Sequence, residues 1–238
     1  MIPTLMAMLF TTLALDDLLV CQAEAAGPRA VPRTIEVELD IREPTFEVSG
    51  VYRATRDGRM RIDIYAGGER VFAEALDGDR AWEWTPGDGV SVVDGQAQAA
   101  LRRGIELPGR FFNFADMAER GHRLEDHGAG TIDDRPVRIL DVVLDDRHRK
   151  RYWLDAQSCR VVRNRDERAF HPGIDATAVT VESRLSDYRL IDGRLVAFET
   201  VQWDVGADAW LGSTTVKAVR FDPDLSAVRF DLRDLAPD

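Results

Sequence analysis

At 238 residues the chain is long enough for one sizeable domain or two small ones, and its 45% apolar and 31% charged residues are ordinary for a globular protein. A formal net charge of −11 argues against nucleic acid as a partner and against adhesion to an anionic membrane surface. Two cysteines, Cys21 and Cys159, are too few for a disulfide scaffold or a cysteine-based zinc site.

The chain opens on a mostly apolar run from Ile2 to Leu15, interrupted at Asp16-Asp17 and resumed at Leu18-Leu19-Val20-Cys21. Ala23-Glu24-Ala25 is a small-x-small cleavage pattern, so residues 1–25 have the outline of a secretory signal peptide and the mature chain begins near Ala26. No basic residue precedes the apolar run, and the two aspartates are foreign to such a signal. A second reading of the same run is an amphipathic first helix of the fold, with Met6, Leu9, Phe10 and Leu13 at helical spacing. The run is too short and too interrupted to span a membrane. Cys21 resembles a lipidation position, but Val20 is bulky for the residue before a lipidated cysteine, so no lipid anchor is expected. Removal of residues 1–25 leaves Cys159 alone, without an intramolecular partner.

From residue 34 the pattern is strand after strand, with turn signals at roughly ten-residue spacing. Ile35, Val37, Leu39 and Ile41 alternate along the first strand, and Pro44 ends it. Residues 46–55 form the second, turned at Asp57-Gly58; Met60, Ile62 and Ile64 alternate with charged residues along the third. Gly67-Gly68, residues 71–76, Asp77-Gly78 and residues 80–85 continue the meander. Trp82 and Trp84 then share one face, and a Pro-Gly-Asp-Gly turn leads to residues 90–93. Such spacing marks an antiparallel sheet, not alternating strand–helix units.

The period then changes. Residues 96–103 suit a helix with Ala97, Ala100 and Leu101 on one side; residues 110–120 suit another, with Phe111, Phe114, Ala115 and Ala118 at helical spacing and Gly121 as its stop. Strands resume at residues 122–127, 131–132, 136–144, 151–154 and 160–168, and a loop at 171–175 leads to the longest pair. That pair, residues 178–203, is joined at Asp192-Gly193, a strong hairpin signal that sets Ile191 opposite Arg194 and Leu190 opposite Leu195. One face carries Tyr188, Leu190, Leu195, Ala197, Val201 and Trp203; the other carries Val179, Val181, Leu185, Ile191, Val196 and Phe198. Both faces are substantially apolar, which predicts a cover on each: helices, a second sheet or an apolar ligand. A last strand at 211–221 and an irregular tail at 222–238, anchored by Leu225, Phe230 and Leu235, complete a single domain over residues 26–238.

The candidates for chemistry are weak. His122 and His127 flank Glu125 and Asp126, but not at zinc-protease spacing, and in a strand; they read as surface polar residues. Asp145-Asp146 with His148 reads as a solvated turn, and Cys159 has no nearby motif for a base. No Gly-x-Ser-x-Gly elbow and no phosphate-cradling glycine loop is present. The expectation is a protein without catalytic residues, bound metal or cofactor. Clustered apolar residues stand out instead. Trp82, Trp84, Met60, Ile62, Ile64, Leu101, Phe111, Phe114, Tyr188 and Trp203 are the candidate lining of an apolar cavity between sheet and helices, with the Trp82/Trp84 face turned toward Leu101, Phe111 and Phe114; the other reading of the same residues is an ordinary packed core layer.

Several stretches resemble the LolA/LolB-like superfamily of periplasmic lipoprotein carriers and outer-membrane lipoprotein-sorting proteins. These are Gly50-Val51-Tyr52, Leu76-Asp77-Gly78-Asp79-Arg80-Ala81-Trp82, Tyr152-Trp153-Leu154-Asp155 followed by Arg160-Val161-Val162-Arg163, and Ser186-Asp187-Tyr188-Arg189 with Asp192-Gly193. The chain departs from the pattern at Ala197, where proline is usual, and at Cys159, where glycine is common. The resemblance implies an incomplete antiparallel β-barrel, or strongly curved sheet, with short helices across its open side. It also implies a periplasmic, non-enzymatic, monomeric carrier whose partners are lipoprotein acyl chains or another lipid. An envelope sensor or assembly module that binds a protein partner is the alternative.

Overall fold

The computed structural model describes residues 14–27, 32–144 and 147–235. Among them are thirteen strands: β1 (Thr34–Glu43), β2 (Phe46–Thr55), β3 (Met60–Ala66), β4 (Glu69–Asp77), β5 (Arg80–Thr85), β6 (Gly89–Val93), β7 (Arg123–Ile132), β8 (Arg135–Val143), β9 (Arg149–Asp155), β10 (Val161–Ala169), β11 (Ala178–Ile191), β12 (Arg194–Asp204) and β13 (Ala209–Phe221). Three helices accompany them: α1 (Leu15–Ala26), α2 (Gly95–Glu106) and α3 (Phe114–Glu119). All strands join one antiparallel sheet in the order β6-β5-β4-β3-β2-β1-β13-β12-β11-β10-β9-β8-β7. The expected mainly-β, unclosed architecture is what forms.

The order has a consequence for the helices. β6 and β7 are consecutive in the chain, yet they are the two outer edges of the sheet. The segment between them, carrying α2 and α3, must therefore cross from one edge to the other. Laid flat, thirteen strands would span about 58 Å at their usual spacing of roughly 4.8 Å. They are not flat. A Cβ on Gly173, in the loop after β10, would lie 3.6 Å from Glu83 Oε2 on β5, near the other end of the order. The sheet is curled, and the α2–α3 segment lies across its inner face.

Cross-strand registers show which side chains share that face. One row runs Phe221, Ile35, Ala54, Met60, Leu76, Ala81, Val93 from β13 to β6. These residues pack with Ile105 and Leu101 of α2 and with Phe111. The other wing presents Leu140, Val142, Tyr152 and Leu154 to Leu18 of α1 and to Phe114 and Met117 of α3. Phe112 touches both groups and joins them into one core. Gly50 sits where a Cβ would meet Leu39 Cδ1 at 3.0 Å and Ile64 Cδ1 at 3.1 Å, so its missing side chain lets those neighbours meet over the strand.

The second expected helix is shorter than its 3.6-residue pattern. Residues 107–113 are irregular, and α3 starts after Asn113, whose side-chain oxygen accepts the Asp116 N–H at 3.0 Å while the Asp116 carboxylate accepts the Asn113 N–H at 2.6 Å. This capping box fixes the helix start three residues later than the aromatic spacing implies.

At the N-terminus, α1 is part of the core: Leu18 is 1% exposed, and Leu15, Leu19 and Cys21 pack beside it. Cys21 and Cys159 form a disulfide across 138 residues of sequence. The expectation of a lone Cys159 is therefore corrected. It rested on removing Cys21 with a signal peptide, whereas here the helix carrying Cys21 packs on the wing that carries Cys159. Met6, Leu9, Phe10 and Leu13 lie outside the described residues.

The hairpin register is as expected, with Leu190 opposite Leu195 and Ile191 opposite Arg194, and with Asp192 and Gly193 at φ 48° and 77°. Of the covers expected on its far face, a helix and a second sheet are corrected: among the described residues neither packs there, and Leu190 is 68% exposed. Arginines serve instead: the Arg184 guanidinium lies 5.3 Å from the Trp203 ring and that of Arg165 5.2 Å from Trp153. Buried carboxylates anchor them, Glu182 between Arg163, Arg165 and Arg184, and Asp63 between Arg53, Arg61 and Arg70.

Candidate functional site

The sheet's inner face under the helices is the candidate site. Of the ten residues expected to line it, Met60, Ile62, Leu101 and Phe111 meet in one cluster. Ile64 joins the same face one register step along, opposite Gly50. Phe114 belongs to the adjoining cluster, its ring edge-on to Tyr152 with centroids 4.9 Å apart.

Trp82 and Trp84 are not there, and their expected orientation is corrected. Ala81 shares the inner row with Leu76, so its neighbours Trp82 and Trp84 face outward. They pack with Ala73, Ala75 and Leu232, beneath the C-terminal segment. Arg61 pins that segment from the sheet, donating to Asp234 at 2.8 Å and to the Arg229 carbonyl at 3.0 Å. The alternation correctly put both indoles on one face. Nothing in it distinguishes inner from outer, and the aperiodic tail that covers them gives no signal. Trp203 shares the outer face with Glu182, its cross-strand partner. Tyr188, on β11, reaches across to the start of β10, its hydroxyl donating to the Val161 carbonyl and Arg160 stacked on its ring.

The inner face is not uniformly apolar. In the row Val37, Tyr52, Ile62, Glu74, Glu83, Ser91, two carboxylates stand directly opposite each other on β4 and β5. Burial, reinforced by Glu83, pushes Glu74 up to about 7, while His171 pulls the other way. His171 Nε2 in turn lies 2.9 Å from Glu43 Oε2. On the other wing, Asp166 meets His148 Nε2 at 3.1 Å, Arg168 Nε at 3.3 Å and Lys150 Nζ at 3.6 Å. Burial works to raise the Asp166 carboxyl, but Lys150, His148 and Arg168 hold it at about 2. His148 is thus a buried partner of Asp166 and not part of a solvated turn; Asp145 and Asp146 lie outside the described residues.

Glu125, His127 and Asp141 come close enough to share a cation. Asp141 already accepts from Arg151 Nε at 2.7 Å and from Arg149 at 2.7 Å, and His127 Nε2 lies 3.0 Å away. The Arg149 and Arg151 guanidiniums pair with the buried Asp141 carboxylate, which makes the trio part of an ion-pair network on the outer face; Asp141, on another strand, is not among the residues the sequence singles out. Cys159, in its disulfide, is not an available thiol. Two open surface pockets lie away from the inner face. One of about 440 Å³ is bordered by Gly121, Arg123 and Arg149, and one of about 300 Å³ by Thr34, Arg59 and Phe230.

No protein-family model matches the chain, and no curated protein resembles it in sequence. Solved structures share its fold. A LolA superfamily protein from Nitrosomonas europaea aligns with a TM-score of 0.58 at 14% identity, over 90% of this chain and 96% of that one. A domain described as an outer membrane lipoprotein-sorting protein, from Vibrio parahaemolyticus, gives 0.62 at 12% identity over 92% and 97%. A DUF1329 family protein from Desulfovibrio piger gives 0.61 at 14% identity over 92% and 96%. The fold is therefore LolA-like along nearly the whole chain.

Proposed function

We propose that this chain is a periplasmic, non-enzymatic carrier or binding protein for a lipoprotein or another acylated ligand, held against the inner face of the sheet. One observation carries the reading: the apolar inner face is covered by the α2–α3 segment, whose chain joins only the two edge strands, β6 and β7, and which otherwise rests on the sheet through side-chain packing of Leu101, Ile105, Phe111 and Phe114. Lifting that segment would open an apolar groove without breaking a strand pairing. Half-buried residues line most of α2, and only Ile105 of its twelve is fully buried, so its attachment is light. The name of the Vibrio relative supports lipoprotein sorting as the class of task.

Burying an acyl chain contributes about 0.8 kcal/mol per methylene, so a sixteen-carbon chain gains about 12 kcal/mol gross. Displacing Phe111, Phe112 and Phe114 from their own packing offsets much of it, which is what a carrier that must release its load requires. The Cys21–Cys159 disulfide suits an oxidising compartment and supports export. Among the described residues no helix is long and apolar enough to cross a membrane. We place α1 within the working domain, because cleavage at Ala25 would discard both Cys21 and Leu18.

The test is saturable binding of a brominated fatty-acyl ligand to delipidated protein. Bound on the inner face, it should quench the emission of a Phe112→Trp variant while leaving Trp82 and Trp84 emission nearly unchanged, because those indoles sit behind the sheet. Chelators should have no effect. Folded protein with no saturable acyl binding would remove the carrier reading. Quenching confined to Trp82 and Trp84 would move the site to the outer face.

A further inference from the structure

The apolar inner face is crossed by a band of uncharged polar side chains in register. Tyr152 on β9 pairs with Asn164 on β10, Asn164 with Ser183 on β11, Ser183 with Gln202 on β12, and Gln202 with Gly212 on β13. At its end, a Cβ on Gly212 would lie 3.0 Å from the Arg42 carbonyl and 3.1 Å from Glu43 Cγ, so β1 closes tightly over this point. Two atoms in the band are buried and unpartnered among the described residues: the Tyr152 hydroxyl and Asn164 Oδ1. Tyr152 is 2% exposed, its ring against Phe114 of α3. A buried hydroxyl without a partner is destabilising, and a core that needed only packing would place phenylalanine there. The neighbouring charges do not account for it, since Asp166 is engaged by His148, Lys150 and Arg168.

We infer that this band binds the polar junction of an acyl lipid, with Tyr152 donating to an ester carbonyl oxygen and Asn164 Oδ1 accepting from a nearby hydroxyl. The inference rests on the carrier reading of the same face and names the ligand class: a neutral acyl ester bearing a free hydroxyl, in preference to a bare hydrocarbon chain. The acyl tail would follow the apolar rows toward Phe114 and Phe112, taking the space those rings hold when the cover is down. In register the band continues the row that runs through Leu140, so it would fix where the polar end of the chain sits beside the apolar wing.

The experiment compares a fluorescent 1-acylglycerol with its 1-alkyl ether analogue, which keeps the hydroxyls and the chain but lacks the carbonyl. Wild-type protein should bind the ester about 3- to 10-fold more tightly, the range expected for one added hydrogen bond. Tyr152→Phe should abolish that preference while raising the melting temperature of the ligand-free protein, because an unpartnered hydroxyl is removed. Asn164→Ala should weaken both lipids alike. Equal binding of ester and ether by wild type, or a preference that survives Tyr152→Phe, would overturn the inference and leave the carrier reading standing. Binding of neither lipid would overturn both.

Discussion

Glu74 shows most directly how a single residue can set the behaviour of the inner face. It lies opposite Glu83, and its folded-state carboxyl titrates at about 7 against an ordinary value of 4.5. A carboxyl whose pKa rises on folding binds its proton more tightly in the folded state. Below pH 4.5 both states are protonated and nothing is lost. Stability then falls as pH climbs from 4.5 to 7, and the full cost of about 3 kcal/mol persists at higher pH. Glu74→Gln should therefore match wild type in stability near pH 4.5 and exceed it by up to about 3 kcal/mol at pH 8, measured by urea unfolding at both pH values. A stability difference that does not vary with pH would show that Glu74 titrates normally.

Among the elements, the β11–β12 hairpin was the most legible, and its legibility has a physical cause. A two-residue turn needs left-handed backbone at both central positions, Asp-Gly supplies it, and every cross-strand pair then follows. Gly193→Val should lower the melting temperature, since a β-branched residue at φ 77° is strained by about 1–2 kcal/mol. Gly104→Ala, on a helix with nothing within 4 Å of the new methyl, should raise it by the equivalent of about 0.5–1 kcal/mol. Differential scanning calorimetry on both variants tests the contrast, and a Gly193→Val protein as stable as wild type would mean the turn is built otherwise. Strand periods of two gave away the inner rows around Met60 and Ile62 in the same manner. They could not orient Trp82 and Trp84, because alternation assigns residues to a shared face and leaves open which face is covered. Nor could they locate the tail that buries these indoles, whose contacts through Leu232 and Asp234 follow no repeat. The polar band was in plain view as Tyr152, Asn164, Ser183 and Gln202, but its members come from four strands. Only the pairing registers align them.

At the scale of the molecule, the curled sheet has two free edges and a helical cover, and the Cys21–Cys159 bond decides how α1 takes part in that cover. The bond fastens α1 to the β9–β10 turn, beside the wing that carries Leu154 and Tyr152. The C-terminal end of α1 is held as well: a Cβ on Gly27 would lie 2.5 Å from the Gly193 carbonyl, so the helix terminus abuts the tip of the β11–β12 hairpin. α1 is thus fixed at its middle by the disulfide and at its C-terminal end by the hairpin, whereas the α2–α3 segment has no covalent cross-link to the sheet between its two ends. In the chain-entropy picture a cross-link closing 138 residues stabilises the fold by about 5 kcal/mol. Protein purified from the periplasm should therefore show no free thiol in denaturant and, digested without reductant, should yield a peptide pair joining Cys21 to Cys159. Reduction, or Cys159→Ser, should lower the melting temperature by several degrees and increase acyl-probe binding, because α1 then becomes part of the movable cover. A mature chain beginning at Ala26 gives the opposite pattern. It would carry one titratable thiol, its stability would be indifferent to reductant, and the wing around Leu140 and Leu154 would lack the helix that buries it.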